Sequence, residues 1–251
     1  MKKTILVTCL LLGCSTNVTA DVIGVYLGAS VWDQQAKGNL GSSSEQLDFN
    51  LADQQQMSYS LAVEHPLPFI PNAKIATSSL ETDGAITLNA PFEFKDQTFD
   101  ASSQASANFD VTFVDYTLYY ELFDNDLISF DFGFTARDFD GSVTVEGQIN
   151  GNAGSGVIST SEIVPMLYAR TNVGLPFTGF NFFAEGNFLS VTDHTLYDYQ
   201  AGISYELVDN LAIDINLTLG YRSLKLELDD LNDLYTDIEF SGYFAGVVVH
   251  F

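Results

Sequence analysis

Apolar and polar residues alternate with a period of two along most of the chain after residue 20. This alternation is typical of β-strands whose two faces meet different environments. The period of 3.6 residues that marks amphipathic helices is hard to find, so we predict an all-β protein. Ten strands are predicted, over residues 22–32, 56–65, 72–80, 107–122, 127–138, 161–173, 179–190, 195–208, 211–226 and 237–251.

Short and long connections alternate strictly between the predicted strands. The short ones span residues 65–72, 124–126, 174–179 and 209–210, and the long ones span residues 33–55, 81–107, 138–160, 191–194 and 227–236. A β-sandwich has no reason to place its long loops on one side, whereas an up-and-down antiparallel barrel in an outer membrane has short periplasmic turns and long extracellular loops. We therefore predict a transmembrane barrel of about ten strands, with both termini on the periplasmic side.

Two segments leave details of this barrel open. If residues 85–99 form their own spanning hairpin, the strand count becomes eight or twelve; we expect this segment, which contains Phe92 and Phe94, to extend above the membrane instead. In the fourth predicted strand, apolar residues occupy odd positions up to Phe113 and even positions from Val114. This change of phase predicts a β-bulge between Phe113 and Val114.

Aromatic residues near the strand ends are predicted to form girdles at the two membrane interfaces. The outer girdle is expected to contain Trp32, Tyr59, Tyr197, Tyr221 and Tyr243. The periplasmic girdle is expected to contain Phe69, Tyr120, Phe177, Tyr205 and Phe251.

The first 20 residues have the pattern of a secretory signal peptide. Lys2 and Lys3 precede an apolar stretch over residues 5–13, and small residues precede a cleavage site after Ala20. A competing processing site before Cys14 would leave a lipidated cysteine. Both cysteines of the chain lie in this segment, so cleavage after Ala20 leaves residues 21–251 as one barrel domain without a disulfide or a thiol nucleophile.

The charge balance excludes one class of partner. The chain has 9 Lys and Arg against 33 Asp and Glu, a net charge of -24. Binding to nucleic acid needs a basic surface that neutralises phosphates, so we expect no nucleic-acid partner.

Several charged residues fall on the strand faces opposite the apolar sets and are predicted to line the lumen. They are Glu64, Asp131, Arg137, Arg170, Glu185, Asp198, Glu206, Asp214 and Arg222. An arginine facing lipid at the bilayer midplane costs about 2–4 kcal/mol, so the three arginines support this orientation. These charges are expected to form a structural network across a narrow lumen; if the lumen is open, the excess of acids favours cations.

The last strand ends on an aromatic residue after a regular alternation. The outward positions include Tyr243, Val247, Val249 and Phe251. With this ending, the mature chain resembles the Gram-negative outer-membrane β-barrel superfamily, and its turns at 65–72 and 175–180 resemble those of a functionally uncharacterised family of such barrels. The resemblance implies that these four residues form the signal recognised by the barrel-assembly machinery, and that the protein is a multi-pass barrel of the outer membrane in contact with lipid and lipopolysaccharide.

Three functional classes are compatible with the sequence. The first is a narrow, porin-like, cation-favouring channel for small solutes, in a monomeric barrel. The second is a non-conducting structural or surface-interaction barrel that presents acidic extracellular loops. The third, which we do not favour, is an enzyme at the outer rim that acts on peptide or lipid A, because Asp193 and His194 are adjacent there and a carboxylate can assist an imidazole base.

Neither a catalytic, a cofactor nor a metal site is expected. Adjacent residues of an extended chain point in opposite directions, which weakens the pair formed by Asp193 and His194. An acidic segment contains Glu227, Asp229, Asp230, Asp233, Asp237 and Glu239, but it lacks the spacing of a calcium loop.

Overall fold

The computed structural model describes residues 23–251 except residues 43–44, 126, 192–193, 211 and 232–233. The predicted signal peptide and Cys14 lie outside the described residues. Twelve strands are present: β1 (Gly24–Gly41), β2 (Gln54–Glu64), β3 (Asn72–Thr87), β4 (Phe92–Phe94), β5 (Gln97–Phe99), β6 (Gln104–Asp124), β7 (Ile128–Ile149), β8 (Asn152–Gly174), β9 (Phe180–Val191), β10 (His194–Asp209), β11 (Asp214–Leu231) and β12 (Leu234–His250). Among the described residues, none belongs to a helix long and apolar enough to cross a membrane.

Ten of these strands form one closed antiparallel barrel, which confirms the predicted fold class. The order around the barrel is β1-β12-β11-β10-β9-β8-β7-β6-β3-β2, and pairing of β1 with both β2 and β12 closes it. The remaining strands, β4 and β5, form a separate two-stranded hairpin inserted between β3 and β6. The segment 85–99 therefore adds no spanning strand.

The strands on the extracellular side run much further than predicted. Most of the expected connection over residues 138–160 is a continuation of β7 and β8, which remain paired up to Ile149 and Asn152. The turn between them needs only Asn150 and Gly151, both with positive φ, at 52° and 75°. Such a two-residue turn suits the twist of a β-hairpin, so the polar residues of this segment belong to strand faces.

The two faces of the barrel wall exchange character partway along the long strands. On β6, the inward side chains from Phe109 to Tyr119 are all buried, apolar up to Phe113 and polar from Asp115. The outward side chains are polar up to Thr112 and apolar from Val114. We call the part on the periplasmic side of this level the membrane half and the part beyond it the outer half.

The predicted bulge between Phe113 and Val114 is wrong. Both neighbours of β6 stay in continuous register through this point, and the register shift lies near the periplasmic end, between Glu121 and Phe123. The alternation keeps its phase along β6. Which face is apolar reverses because the surroundings of the wall change from lipid to water.

The same reversal occurs on other strands of the barrel. On β7, inward Arg137 is followed by Phe139 and Val143, and on β11, inward Arg222 is followed by Leu224 and Leu226. On β1 the last outward apolar residue is Val31. Trp32 is therefore at an inward position and fully buried, so its predicted place in the outer aromatic girdle is wrong. Tyr59, Tyr221 and Tyr243 of that predicted girdle are exposed on the outward face.

An apolar core fills the lumen of the outer half. The loop after β1 contributes Phe49, and the β4–β5 hairpin contributes Phe92, Phe94 and Phe99; all four side chains are buried. They join inward residues of the wall such as Val143 in one hydrophobic cluster. Burying one such side chain contributes about 1.5–3 kcal/mol, so this core stabilises the outer half as it would a water-soluble barrel.

The wall is incompletely paired at two places. β2 pairs with β3 only over Tyr59–Val63 and Ala73–Thr77, and β8 pairs with β9 only from Leu167 onward. The loop after β1 covers the free edge of β3, where the Ala52 amide donates to the Asp83 carbonyl at 2.8 Å and the Thr82 hydroxyl donates to the Ala52 carbonyl at 2.8 Å. This loop thus completes the outer half between β2 and β3.

Candidate functional site in the barrel lumen

The nine charged residues predicted to line the lumen all lie at inward-facing positions, at three levels of the membrane half. Nearest the apolar core are Arg137, Asp198 and Arg222. At the next level are Glu64, Asp131, Arg170 and Glu185. Close to the periplasmic turns are Glu206 and Asp214.

The level nearest the core is a chain of ion pairs that crosses the lumen. Nε and Nη2 of Arg137 donate to the two carboxylate oxygens of Asp115, each at 2.7 Å. Nη2 of Arg137 also donates to Asp198 at 2.7 Å. Asp198 in turn accepts two bonds from Arg222, at 2.8 and 2.7 Å. We call these four residues the charge ladder.

The charge ladder is neutral in sum and closed to solvent on its outer side. Two guanidinium groups meet two carboxylates, and the Arg137 side chain is 0% exposed. The Arg137 guanidinium lies 3.9 Å from the ring centre of Phe113, and that of Arg222 lies 4.6 Å from the ring of Trp32. Buried charges are tolerated when they are paired and hydrogen-bonded in this way. The charge ladder therefore borders the apolar core on its periplasmic side, where the lumen becomes polar.

Sequence analysis missed two residues of these networks. Asp115 lies between the outward residues Val114 and Tyr116, so its inward orientation could have been found from the alternation alone. Lys74 lies inward on β3 and forms an ion pair with Glu185, across three strands of the wall. Its inward orientation also follows from the alternation, between outward Ala73 and Ile75, but its pairing with Glu185 could not be predicted, because the partner is distant in sequence.

The second level contains polar atoms without partners. Asp131 on β7 and Arg170 on β8 are opposite each other in register. Asp131 Oδ1 and Arg170 Nε are nevertheless both buried, and neither has a hydrogen-bond partner among the described residues. The Tyr119 hydroxyl, by contrast, donates to Glu64 at 2.7 Å. Buried polar atoms are rarely left unpaired, so the region beside Arg170 is suited to a polar ligand or to water.

A cavity of about 350 Å³ lies in the membrane half, between the charge ladder and the periplasmic end. Its wall includes Arg170 and Gln200 at mid-height and Asn181, Ser204 and Asn216 near the periplasmic turns. These last three side chains are half-buried, whereas the inward side chains of β6 in the outer half, from Ala107 to Phe113, are buried. The lumen is thus accessible from the periplasmic end and closed by the ladder and core towards the outside.

A second polar contact marks the periplasmic end. His250 stacks on Tyr26, with ring centres 4.2 Å apart, and its Nδ1 lies 3.1 Å from Asp214 Oδ2. This contact joins β1, β11 and β12 where the barrel closes. The predicted assembly residues Tyr243, Val247, Val249 and Phe251 occupy the opposite, outward parity of the last strand.

The outer rim carries acidic residues without a converging site. Lys225 Nζ lies 3.2 Å from Asp237 and 3.5 Å from Glu227, and the hydrogen bond with Asp237 raises the pKa of Lys225 above its usual range. No three His, Cys, Asp or Glu side chains of the described residues converge as metal ligands. Asp193 and Asp233, as well as the side chains of Asp229 and Asp230, lie outside what the structure describes.

Comparison with known proteins adds little to this geometry. No protein-family description matches the chain, and neither does any curated protein. Among solved structures, the transport unit of the autotransporter AIDA-I from Escherichia coli is similar at 6% identity and a TM-score of 0.40, over 93% of this chain and 90% of that one. A deletion mutant of the monoaromatic hydrocarbon channel TodX is similar at 10% identity and a TM-score of 0.37, over 92% of this chain and 90% of that one. A FadL homologue of Pseudomonas aeruginosa is similar at 8% identity and a TM-score of 0.31, over 92% of this chain and 90% of that one.

Scores this low carry no argument about function, and the assignment of class rests on the barrel itself. An even number of antiparallel strands forms a closed barrel, and an apolar outward band surrounds a polar membrane-half lumen. These features are those of a transmembrane β-barrel.

Proposed function

We propose that the protein is a non-conducting outer-membrane barrel that presents a folded, acidic β-domain at the cell surface. The single observation that carries this proposal is the apolar core in the lumen of the outer half. An open pore needs a continuous hydrated path, and buried aromatic side chains from the loop after β1 and from the β4–β5 hairpin occupy that path. The charge ladder beneath them has no charge left to attract an ion.

The outward face of the outer half supports the second part of the proposal. Its exposed acids are spread over several strands and over the β4–β5 hairpin: Asp33, Glu81, Asp83, Glu93, Asp110, Asp140, Glu146 and Asp237. Such a surface attracts cations and basic partners and repels anionic ones. The divalent cations that bridge lipopolysaccharide, or a basic protein surface, are the partners whose charge it fits.

Several further assignments belong to this proposal. The barrel is a monomer, reaches the outer membrane after cleavage of residues 1–20, and is assembled through its last strand with Tyr243, Val247, Val249 and Phe251 as the signal. We also propose no catalytic role for the outer rim, where His194 is half-buried at the start of β10.

The competing proposal is the narrow, cation-favouring channel predicted from the acidic lumen residues. Conduction through this barrel requires the β4–β5 hairpin to leave the lumen. Single-channel conductance of the refolded protein in a planar bilayer separates the two proposals. We expect the wild-type barrel to be silent and the double variant Phe92→Ala, Phe94→Ala to show discrete openings, because these truncations remove two aromatic side chains from the seal.

A matched control tests whether any paired loss of phenylalanine has this effect. Phe132 and Phe134 have the same spacing but face outward in the membrane half, where Phe134 is exposed. The variant Phe132→Ala, Phe134→Ala is expected to remain silent. Cation-selective steps from wild-type protein would overturn the proposal of a non-conducting barrel and support the channel.

A further inference from the structure

We infer that the lumen of the membrane half is a binding site for a small, neutral, polyhydroxylated molecule of mono- or disaccharide size, entered from the periplasmic side. The site is the cavity below the charge ladder, described above, and the inference does not depend on what the outer half binds. Its volume of about 350 Å³ is within the range of small-molecule sites in proteins.

The charge of the wall selects the class of ligand. Three basic side chains, Lys74, Arg170 and Arg222, and three acidic ones, Asp115, Glu185 and Asp198, line the cavity. In a chain with a net charge of -24, this balance makes the cavity an exception. A site for a cation or an anion requires an excess of the opposite charge, so the wall favours a ligand without net charge.

The neutral part of the wall favours hydroxyl groups in particular. The amides of Asn172, Asn181, Asn187, Gln200 and Asn216 line the cavity together with several Ser and Thr hydroxyls. Amide and hydroxyl groups both donate and accept hydrogen bonds, as do the hydroxyls of a polyol. An apolar ligand would leave these groups unpaired at a cost of about 1–3 kcal/mol each.

Arg170, which lines the cavity, carries an unpaired atom that gives an independent indication of a ligand. Asp131 is 4% exposed, and its Oδ1 lacks a hydrogen-bond partner within the described chain, as does the Nε of the neighbouring Arg170. One atom requires a donor and the other an acceptor. Since Arg170 lines the cavity, a ligand hydroxyl there can accept from its Nε.

The structure also fixes the side of entry. Asn181 is the second residue of β9 and Asn216 the third of β11, and both strands begin at periplasmic turns. Both side chains line the cavity and remain half-buried. The opposite end is closed by Arg137 and the apolar core, so a ligand enters and leaves through the periplasmic mouth.

Isothermal titration calorimetry on residues 21–251, refolded in detergent, tests the inference. The probes are glucose and sucrose, with putrescine and succinate as charged probes of comparable or smaller size. Gln200→Leu removes an amide from the wall, and we expect it to weaken sugar binding about tenfold, the effect of one or two lost hydrogen bonds. Arg170→Met is expected to act in the same direction.

Gln148→Leu is the matched control, because Gln148 is exposed near the tip of the β7–β8 hairpin, away from the cavity. It is expected to leave the affinity unchanged. Heat-modifiable mobility in gel electrophoresis checks that each variant is folded. Absence of heat with both sugars for folded wild-type protein, equal affinities of Gln200→Leu and Gln148→Leu, or tighter binding of a charged probe would each overturn the inference. Absence of heat with both sugars would not affect the proposal of a non-conducting barrel with an acidic surface domain, because that proposal is tested by conductance.

Discussion

Arg137 lies where the lumen changes from polar to apolar, and it touches both sides of that change. Its guanidinium binds Asp115 and Asp198 and lies against the ring of Phe113. No water reaches the Arg137 guanidinium. The two carboxylates that it binds therefore depend on its positive charge to offset the cost of their burial. Arg222 supplies a second partner to Asp198, whereas Asp115 has Arg137 alone as its ion-pair partner among the described residues.

Arg137→Met is therefore expected to lower the free energy of unfolding by about 3–5 kcal/mol, because it leaves Asp115 buried without its cation. Urea-induced unfolding in lipid vesicles, followed by tryptophan fluorescence, measures the change. Lys37→Met, which removes an exposed cation from β1, is the control and is expected to change stability by less than about 1 kcal/mol.

A second variant separates lost charge pairing from lost packing. In the double variant Arg137→Met, Asp115→Asn, the buried charge is removed with its partner, and Asp198 keeps its two bonds to Arg222. We expect this double variant to be more stable than Arg137→Met alone. The opposite order would show that packing of the guanidinium, and not its charge, stabilises this level.

At the scale of the strand, β6 shows what can be predicted from sequence and what cannot. The inward and outward faces follow from the period of two, and Asp115 could have been assigned to the lumen on that basis. The sequence predicts a bulge at Phe113 that the structure does not contain. A change of phase and a change of solvent give the same order of apolar and polar residues along the chain. The continuous register of β6 with both of its neighbours through this level distinguishes the two, and only the pairing of the strands shows it.

This interpretation of β6 predicts a difference between two positions on one strand face. Leu118 and Thr112 are both exposed and both outward. Leu118→Arg is expected to cost about 2–4 kcal/mol, as an arginine facing lipid does, whereas Thr112→Arg is expected to cost close to nothing in water. Unfolding in lipid vesicles measures both. Equal costs would place both positions in the same solvent and contradict the assigned level.

At the scale of the whole molecule, the sequence does not predict the apolar core that fills the lumen of the outer half. The sequence predicts that the segment with Phe92 and Phe94 adds no spanning strand, and the β4–β5 hairpin is indeed separate from the barrel wall. Nothing in the spacing of these residues indicates that they turn into the lumen. The ion pairs of the charge ladder could not be predicted either, because Arg137 and Asp198 are 61 residues apart in sequence. Contacts between distant strands depend on the order and register of the closed barrel, which the alternation along one strand does not contain.

Cysteine labelling tests the one-sided access of the lumen in the intact barrel. Residues 21–251 contain no cysteine, so a single introduced cysteine is the only thiol that the reagent can label. Ser204→Cys, half-buried near the periplasmic mouth, is expected to react quickly with a charged, membrane-impermeant thiol reagent. Ala107→Cys, in the apolar core, is expected to react only after denaturation. Rapid reaction at both positions would show a lumen open along its whole length.

The reversal of the two faces also fixes the depth at which the molecule sits. Moving the barrel outward by two residues per strand would bring lipid-facing apolar side chains into water on many strands at once. Moving it inward by the same distance would bring Thr112, Asp138 and Ser241 into hydrocarbon. Vertical displacement is therefore opposed by all the long strands together. In a bilayer thicker or thinner than its apolar band, we expect the lipid around this barrel to stretch or compress while the protein keeps its position.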